Sequence, residues 1–397
     1  RELIVGRAVA GRTGAKPEWL EIGRKVELRG KEFAIVGEFE APGTLYENWM
    51  IGNSNVLLIT LNRQDYSFAR MRVRPAVAFV LLFVALILVG AVLLMLPRAT
   101  PEGQPIGPLD AFFTATSAVC VTGLIVRDTG AGFTGFGQGV ILVLIQLGGL
   151  GIMSLTAALS LLLGRGIGVR ESHLLREVFQ VPMLSAAGRT VRSIIVMTLG
   201  LEAVGAILLY RGLGTAVPET GPRVFTAVFH AVSAFCNAGF STFGDSLAGV
   251  AGNPLVMGTV SALLVVGGLG FGVVVQLVAW LRGRAMRPSG PRERLGLHAR
   301  VVLVVSVGLL VIGTSLLLAF EWNGALAGEG PGMKLAQAFF QSATCRTAGF
   351  NSLDLNALAP ASLFLMIVLM FIGGAPGSTA GGVKVTVVAI VWANLRS

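Results

Sequence analysis

The sequence predicts an all-α polytopic membrane protein with a small β-containing segment at its N-terminal end. Three observations lead there. Apolar runs of roughly 20 residues recur from Arg70 onward, each long enough to cross a hydrocarbon core as a helix. Charged residues make up 13% of the 397 residues against 54% hydrophobic ones, about half the charge of an ordinary soluble protein. Three shorter segments repeat one pattern at nearly constant spacing, the mark of an internally repeated fold. So apolar a chain is not disordered, and it has too few charges to coat a soluble globule. The formal charge of +10 does not point to nucleic acid. Lys and Arg stand between apolar runs rather than forming a stripe on a polar domain. Three Cys are too few for a disulfide framework.

Residues 1–69 are polar and too broken to span. Within them, Lys25–Gly37 alternates apolar and polar residues on both sides of Arg29-Gly30, a β-hairpin pattern. Ala41-Pro42-Gly43-Thr44 reads as a further turn. No signal peptide is visible at Arg1. From Arg70 the text changes. Ala76–Leu96 would be about 31 Å long as a helix, and further spans read at about 139–163, 190–211, 254–281, 300–320 and 361–392.

Between these spans lie Leu109–Gly123, Phe225–Gly239 and Leu335–Gly349, each 15 residues, ending in Gly and too short to cross. Such a segment is expected to enter the membrane and return. Phe113, Phe229 and Phe339 each stand ten residues before the final Gly. The glycines lie 116 and 110 residues apart, and a Gly pair follows each, at 148–149, 267–268 and 373–374. The organisation is thus a β-rich segment over 1–69 and repeats over 70–163, 164–281 and 282–397. The linkers carry the positive charge: Arg165, Arg170, Arg176, Arg189 and Arg192 in one, Arg282, Arg284, Arg287, Arg292, Arg294 and Arg300 in the other. Arg70, Arg72 and Arg74 precede the first span, whereas 240–254 and 350–360 contain no Lys or Arg. The positive-inside rule places the linkers in the cytoplasm and opens the short segments to the outside.

A helix that stops at mid-membrane directs its partly negative C-terminal end inward and favours a cation there. The returning chain is tolerated at that depth only along a water-filled path, where its carbonyls can replace an ion's hydration shell. The stretches Val121-Thr122-Gly123, Asn237-Ala238-Gly239 and Thr347-Ala348-Gly349 fit this description. Their side chains are neutral, so selection would come from the backbone and would favour a dehydrated monovalent cation. Packing through small residues explains the Gly and Ala but not their place at the end of a segment too short to span. The last span is interrupted by Pro376 and by Gly373, Gly374, Gly377, Gly381 and Gly382, with Ser378-Thr379 between. Such a cluster unwinds a helix. Lys384 in that span is expected to face water or a carboxylate.

The stretches 116–124, 237–241 and 346–351, together with Gly373-Gly374-Ala375-Pro376-Gly377-Ser378-Thr379-Ala380-Gly381-Gly382-Val383-Lys384, resemble the Trk/Ktr/HKT potassium transporters over about residues 70–397. The resemblance implies potassium transport through repeated membrane helix–pore loop–membrane helix units, three present here of an expected four, the fourth lying beyond Ser397 or supplied by a partner. It implies potassium-binding filter positions at 121–123, 237–239 and 347–349. It also implies an intramembrane gating loop over Gly377, Ser378, Thr379, Ala380, Gly381 and Gly382. A homodimer and a cytosolic nucleotide-binding regulatory subunit are implied as partners, with potassium as substrate and no cofactor. Separately, Glu21–Leu28 with the following hairpin loosely resembles the extracytoplasmic domain of MacB/FtsX-type permeases. That resemblance offers an ATP-driven exporter component, or a non-conducting remnant, as the alternative function.

The remaining candidates read as structural. Gly268-x-Gly270-x-Gly272 lies in an apolar span without a βαβ context and reads as close packing, not a nucleotide loop. His173, His230 and His298 are scattered, so no metal site is expected. Cys120, Cys236 and Cys345 fall near corresponding positions and read as small buried residues. Arg346 adjoins the third candidate filter stretch and is expected to brace it by hydrogen bonds. Glu202 sits within a span and needs a partner, structural or conducting. Asp110 opens the first short helix and is expected to cap it. No catalytic constellation is present, so the chain is not expected to be an enzyme.

Overall fold

A computed structural model describes residues 2–6, 25–28, 31–39, 49–52, 57–60, 75–150, 187–286 and 295–396. The chain divides into two compact units, Arg1–Val73 and Arg74–Ser397. Several sequence expectations lie outside the described residues: the turn at 41–44, the stretch 151–163, Arg70, Arg72 and Arg74, His173, and Arg287, Arg292 and Arg294.

The first unit is a five-stranded sheet in the order β2-β3-β1-β4-β5. Its strands are β1 (Glu2–Gly6), β2 (Lys25–Leu28), β3 (Lys31–Phe39), β4 (Trp49–Gly52) and β5 (Leu57–Thr60). The pairing of Leu28 with Lys31 leaves Arg29-Gly30 as a two-residue connection, the hairpin expected from the alternation. β1 runs parallel to β3 with a register shift between Leu3 and Ile4, and antiparallel to β4.

The second unit is helical. Its elements are α1 (Pro75–Leu94), α2 (Pro108–Val119), α3 (Gly135–Gly149), α4 (Ala187–Gly212), α5 (Thr220–Phe235), α6 (Pro254–Leu269), α7 (Phe271–Met286), α8 (Leu297–Glu321), α9 (Pro331–Thr344), α10 (Pro360–Phe371) and α11 (Val385–Arg396). Five of them open on a proline at the first helical position, where its fixed φ suits the helix and its missing N–H costs nothing. Asn253 caps α6 by accepting from Leu255 and Val256, and Thr134 caps α3 by accepting from Gly137. Asp110 does not cap α2. The capping position is Gly107, without a side-chain bond, and Asp110 lies inside the first turn, where its charge favours the positive helix end.

The helices repeat one packing scheme. α1, α2 and α3 pack on one another, as do α4, α5 and α6, while α8 packs on both α9 and α10. The last helix of each of the first two sets then packs on the short helix of the next, α3 on α5 and α6 on α9. The apolar cores follow the same rule. The core of the first set takes in Phe229 and Phe240, and the core of the second takes in Phe340 and Phe350, all fully buried.

The Phe repeat in the sequence is therefore not one packing position. Phe229 is buried, but Phe113 and Phe339 are each 38% exposed. The last helical residue stands four before the glycine in α2 and α5 (119 to 123, 235 to 239) but five before it in α9 (344 to 349).

Among the described residues, two helices, Arg192–Gly212 and Leu297–Glu321, are long and apolar enough to cross a membrane. The expected single span over 254–281 is instead a pair, α6 and α7, bent by 108°. The bend falls at Gly270, whose φ of +81° is open to glycine and strained for other residues. The expected interruption of the last span is present. α10 ends at Phe371 and α11 begins at Val385, with a non-helical loop between.

Candidate functional site

The three short helices end alike. Each has a cysteine as its C-capping residue: Cys120, Cys236 and Cys345. Cys236 and Cys345 are buried as expected, but Cys120 is exposed. In the first two helices the chain then closes a Schellman turn. Thr122 N–H reaches Ser117 O and Val121 N–H reaches Ala118 O; Ala238 N–H reaches Ser233 O and Asn237 N–H reaches Ala234 O. The left-handed position of such a turn is ordinarily a glycine. Here it is Val121 (φ 54°), Asn237 (φ 55°) and, in the third loop, Thr347 (φ 66°). Two of the three are β-branched, for which this conformation is strained by about 1–3 kcal/mol.

Two residues further on, φ is positive again at Gly123 (76°), Gly239 (72°) and Gly349 (81°). The residues between, Thr122, Ala238 and Ala348, have negative φ. The sign of φ therefore alternates through each stretch, and all three stretches share that alternation. None of their nine carbonyl oxygens accepts a hydrogen bond among the described residues. That all nine are without a hydrogen-bond partner among the described residues is a feature the three stretches share.

The stretches also meet. A Cβ on Gly123 would run into the Ala238 carbonyl, and one on Gly239 into the Ala348 carbonyl. A Cβ on Gly349 would have only Gly239 Cα within 4 Å, at 3.6 Å. The glycines thus follow one another side by side in sequence order, and the far side of Gly349 is open among the described residues. Behind the stretches, side chains hold the returning strands. Ser233 Oγ donates to Phe240 O at 2.7 Å and Thr344 Oγ1 donates to Phe350 O at 2.8 Å. In the first loop the equivalent Ser117 hydroxyl is buried without a partner, and Leu124 is 60% exposed.

The loop between α10 and α11 lies against this arrangement. It is tied back on itself by Gly373 N–H to Val383 O and by Gly374 N–H to Gly381 O. Ala375 N–H donates to Gly268 O, and Phe271 N–H donates to Gly377 O, across the α6–α7 bend. The Gly268-x-Gly270-x-Gly272 run is thus a docking place for this loop, beyond the close packing expected of it. A Cβ on Gly270 would lie 2.8 Å from Pro376 O. Thr379 Oγ1 donates to Phe235 O at 3.1 Å and accepts from Asn237 Nδ2 at 2.8 Å. Gly381 N–H donates to Thr347 Oγ1 at 2.9 Å. Ser378 Oγ donates to Ala375 O within the loop. Lys384 faces neither water alone nor a carboxylate: its Nζ donates to Ala380 O at 2.8 Å, neutralising a carbonyl dipole inside the same loop.

Arg346 is buried, and its guanidinium donates to Ser306 Oγ at 3.2 Å and Gly373 O at 3.3 Å. It occupies the extra position between the end of α9 and Gly349. Glu202 is buried against the second short helix, beside the Gln146 amide and 3.9 Å from the Cys236 thiol. His230 Nδ1 bonds Thr226 O of its own helix at 2.8 Å, and Nε2 bonds Ser241 Oγ at 2.9 Å, which ties the helix to the strand that returns from it. Among the described residues, no group of three or more His, Cys, Asp or Glu is placed to hold a metal. The sequence did not signal Glu321, a buried carboxylate that accepts from Ser362 Oγ (2.5 Å), Ala359 N (2.8 Å) and Ala325 N (3.1 Å). It ties the end of α8 to the start of α10.

Comparison with known proteins gives the family. The family described as TrkH, cation transport protein, matches residues 59–397. The chain is 36% identical over 337 residues to Ktr system potassium uptake protein B of Bacillus subtilis, covering 84% of this chain and 73% of that protein. It is 39% identical over 324 residues to the protein of the same name from Vibrio alginolyticus, covering 79% and 68%. Its fold matches the crystal structure of the potassium transporter TrkH from Vibrio parahaemolyticus with a TM-score of 0.60 at 22% identity. That match covers 83% of this chain and 63% of the other, so the chain spans less than two thirds of that protein's length. By the family match and by these two relatives, the chain belongs to the TrkH family of cation transport proteins and is a membrane transporter rather than an enzyme.

Proposed function

We propose that this chain takes up potassium across the plasma membrane, in bacteria or archaea the inner membrane. The ion passes dehydrated between the carbonyls of 121–123, 237–239 and 347–349. The observation that carries this reading is the set of nine unpaired carbonyls on three adjoining stretches with alternating φ. A bare alkali ion needs several oxygen ligands in place of its water, and a helix C-terminus behind each stretch adds partial negative charge. The loop 377–382 acts as the gate, because it lies against two of the three stretches. The printed names of the two relatives, potassium uptake proteins, support potassium as the ion. The family resemblance further suggests a homodimer in lipid, regulated by a cytosolic nucleotide-binding subunit. Transport is either passive or coupled by symport to an ion gradient.

The test is selectivity. Gly349→Ser places a Cβ where φ is +81°, a conformation that strains any side chain. Rubidium, potassium and sodium uptake should then lose discrimination by about tenfold, which corresponds to about 1.4 kcal/mol. Full discrimination in a folded Gly349→Ser protein would remove the filter assignment.

A further inference from the structure

We propose that Asn237 and Thr347 hold the gate with their side chains while their backbones form the filter, so that one pair of residues serves both devices. The inference rests on the filter and gate reading above and adds the means by which the two communicate. The three equivalent left-handed positions are Val121, Asn237 and Thr347. Two carry hydrogen-bonding side chains, and those two touch the loop. Asn237 Nδ2 donates to Thr379 Oγ1 at 2.8 Å, and Thr347 Oγ1 accepts from Gly381 N–H at 2.9 Å. Val121 has no polar side-chain atom; its Cγ2 would lie 3.1 Å from a Cβ on Gly148, and it packs against the first core. The repeat thus supplies its own control, with polar residues where the loop docks and an apolar one where it does not.

Thr379 is the centre of the latch. Its single hydroxyl proton goes to Phe235 O, the last helical residue of α5, while a lone pair receives the Asn237 amide. When the loop leaves, the Phe235 carbonyl and the Asn237 amide lose their partners at once, and both must be rehydrated. Asn237 is buried and so is Ala238 behind it, so the closed loop also fixes the side chain of a strained filter residue. The latch therefore stabilises the closed loop and the conformation of two filter stretches together. Release of the loop relaxes both.

The experiment is hydrogen exchange of the loop amides in the full chain held in lipid nanodiscs, with rubidium uptake alongside. Thr379→Val keeps the shape and removes the hydroxyl; Thr379→Ser restores it. The amides of Gly374, Gly381 and Val383 are all hydrogen-bonded in the closed loop. Their exchange should rise about tenfold in T379V, the scale set by losing one or two buried hydrogen bonds, and return to the parent rate in T379S. Asn237→Gly suits the left-handed backbone and removes the amide, and it should loosen the same amides even if T379V fails to fold. Uptake in T379V should rise in rate, and potassium over sodium discrimination should fall with it, because release relaxes two filter stretches; both should return in T379S. Unchanged exchange in T379V and N237G, or equal loosening in T379V and T379S, would overturn the latch. The Gly349→Ser selectivity test leaves these amides out, so the failure of the filter reading and the failure of the latch are read separately.

Discussion

At the scale of single residues, the molecule uses buried polar groups as ties between segments far apart in sequence. Arg346 is the clearest case. Its guanidinium joins α8, through Ser306, to the start of the loop between α10 and α11, through Gly373, at sequence separations of 40 and 27. Replacing it with Met should leave both acceptors unpaired and lower stability by about 1–3 kcal/mol, read as a lower thermal midpoint in detergent. Glu321 makes the same point with opposite charge. Its oxygens face three donors, so Glu321→Gln would set an NH2 group against at least one of them. A similar loss of about 1–3 kcal/mol is expected by thermal unfolding. Stability equal to the parent in either variant would mean that water replaces the lost partner and that the tie contributes little.

At the scale of elements, the bend between α6 and α7 receives the loop between α10 and α11. Its cause is local: Gly270 alone of that glycine run has positive φ, and its missing Cβ leaves room for Pro376 and Gly377. Gly270→Ala should cost about 1–3 kcal/mol from φ strain alone, with a further penalty from contact with the Pro376 carbonyl, and should reduce uptake. Gly272→Ala is the control, because nothing lies within 4 Å of its would-be Cβ and it sits inside α7. There alanine should be neutral or stabilising by about 0.5–1 kcal/mol. The bend was not legible in the sequence. An apolar run with small residues has the same hydropathy whether straight or folded back, and the partner that needs the bend lies more than 100 residues further along the chain. The break after Phe371 was legible, since Pro376 and five glycines cannot continue a helix.

At the scale of the whole molecule, the repeat was the most informative feature of the sequence. Segments too short to cross and ending in glycine marked where each chain reversal falls, because length and backbone freedom are local properties. What the pattern did not give was the pairing between repeats. The Thr379 to Asn237 bond spans 142 residues, a separation that no local pattern reports. The central claim is that the carbonyls of 121–123, 237–239 and 347–349 together bind a bare alkali ion. Anomalous diffraction from crystals grown in rubidium or thallium tests it directly. We expect a peak within coordinating distance of carbonyl oxygens from all three stretches, lost in sodium; density only elsewhere in the molecule, or none at the three glycines, would contradict it.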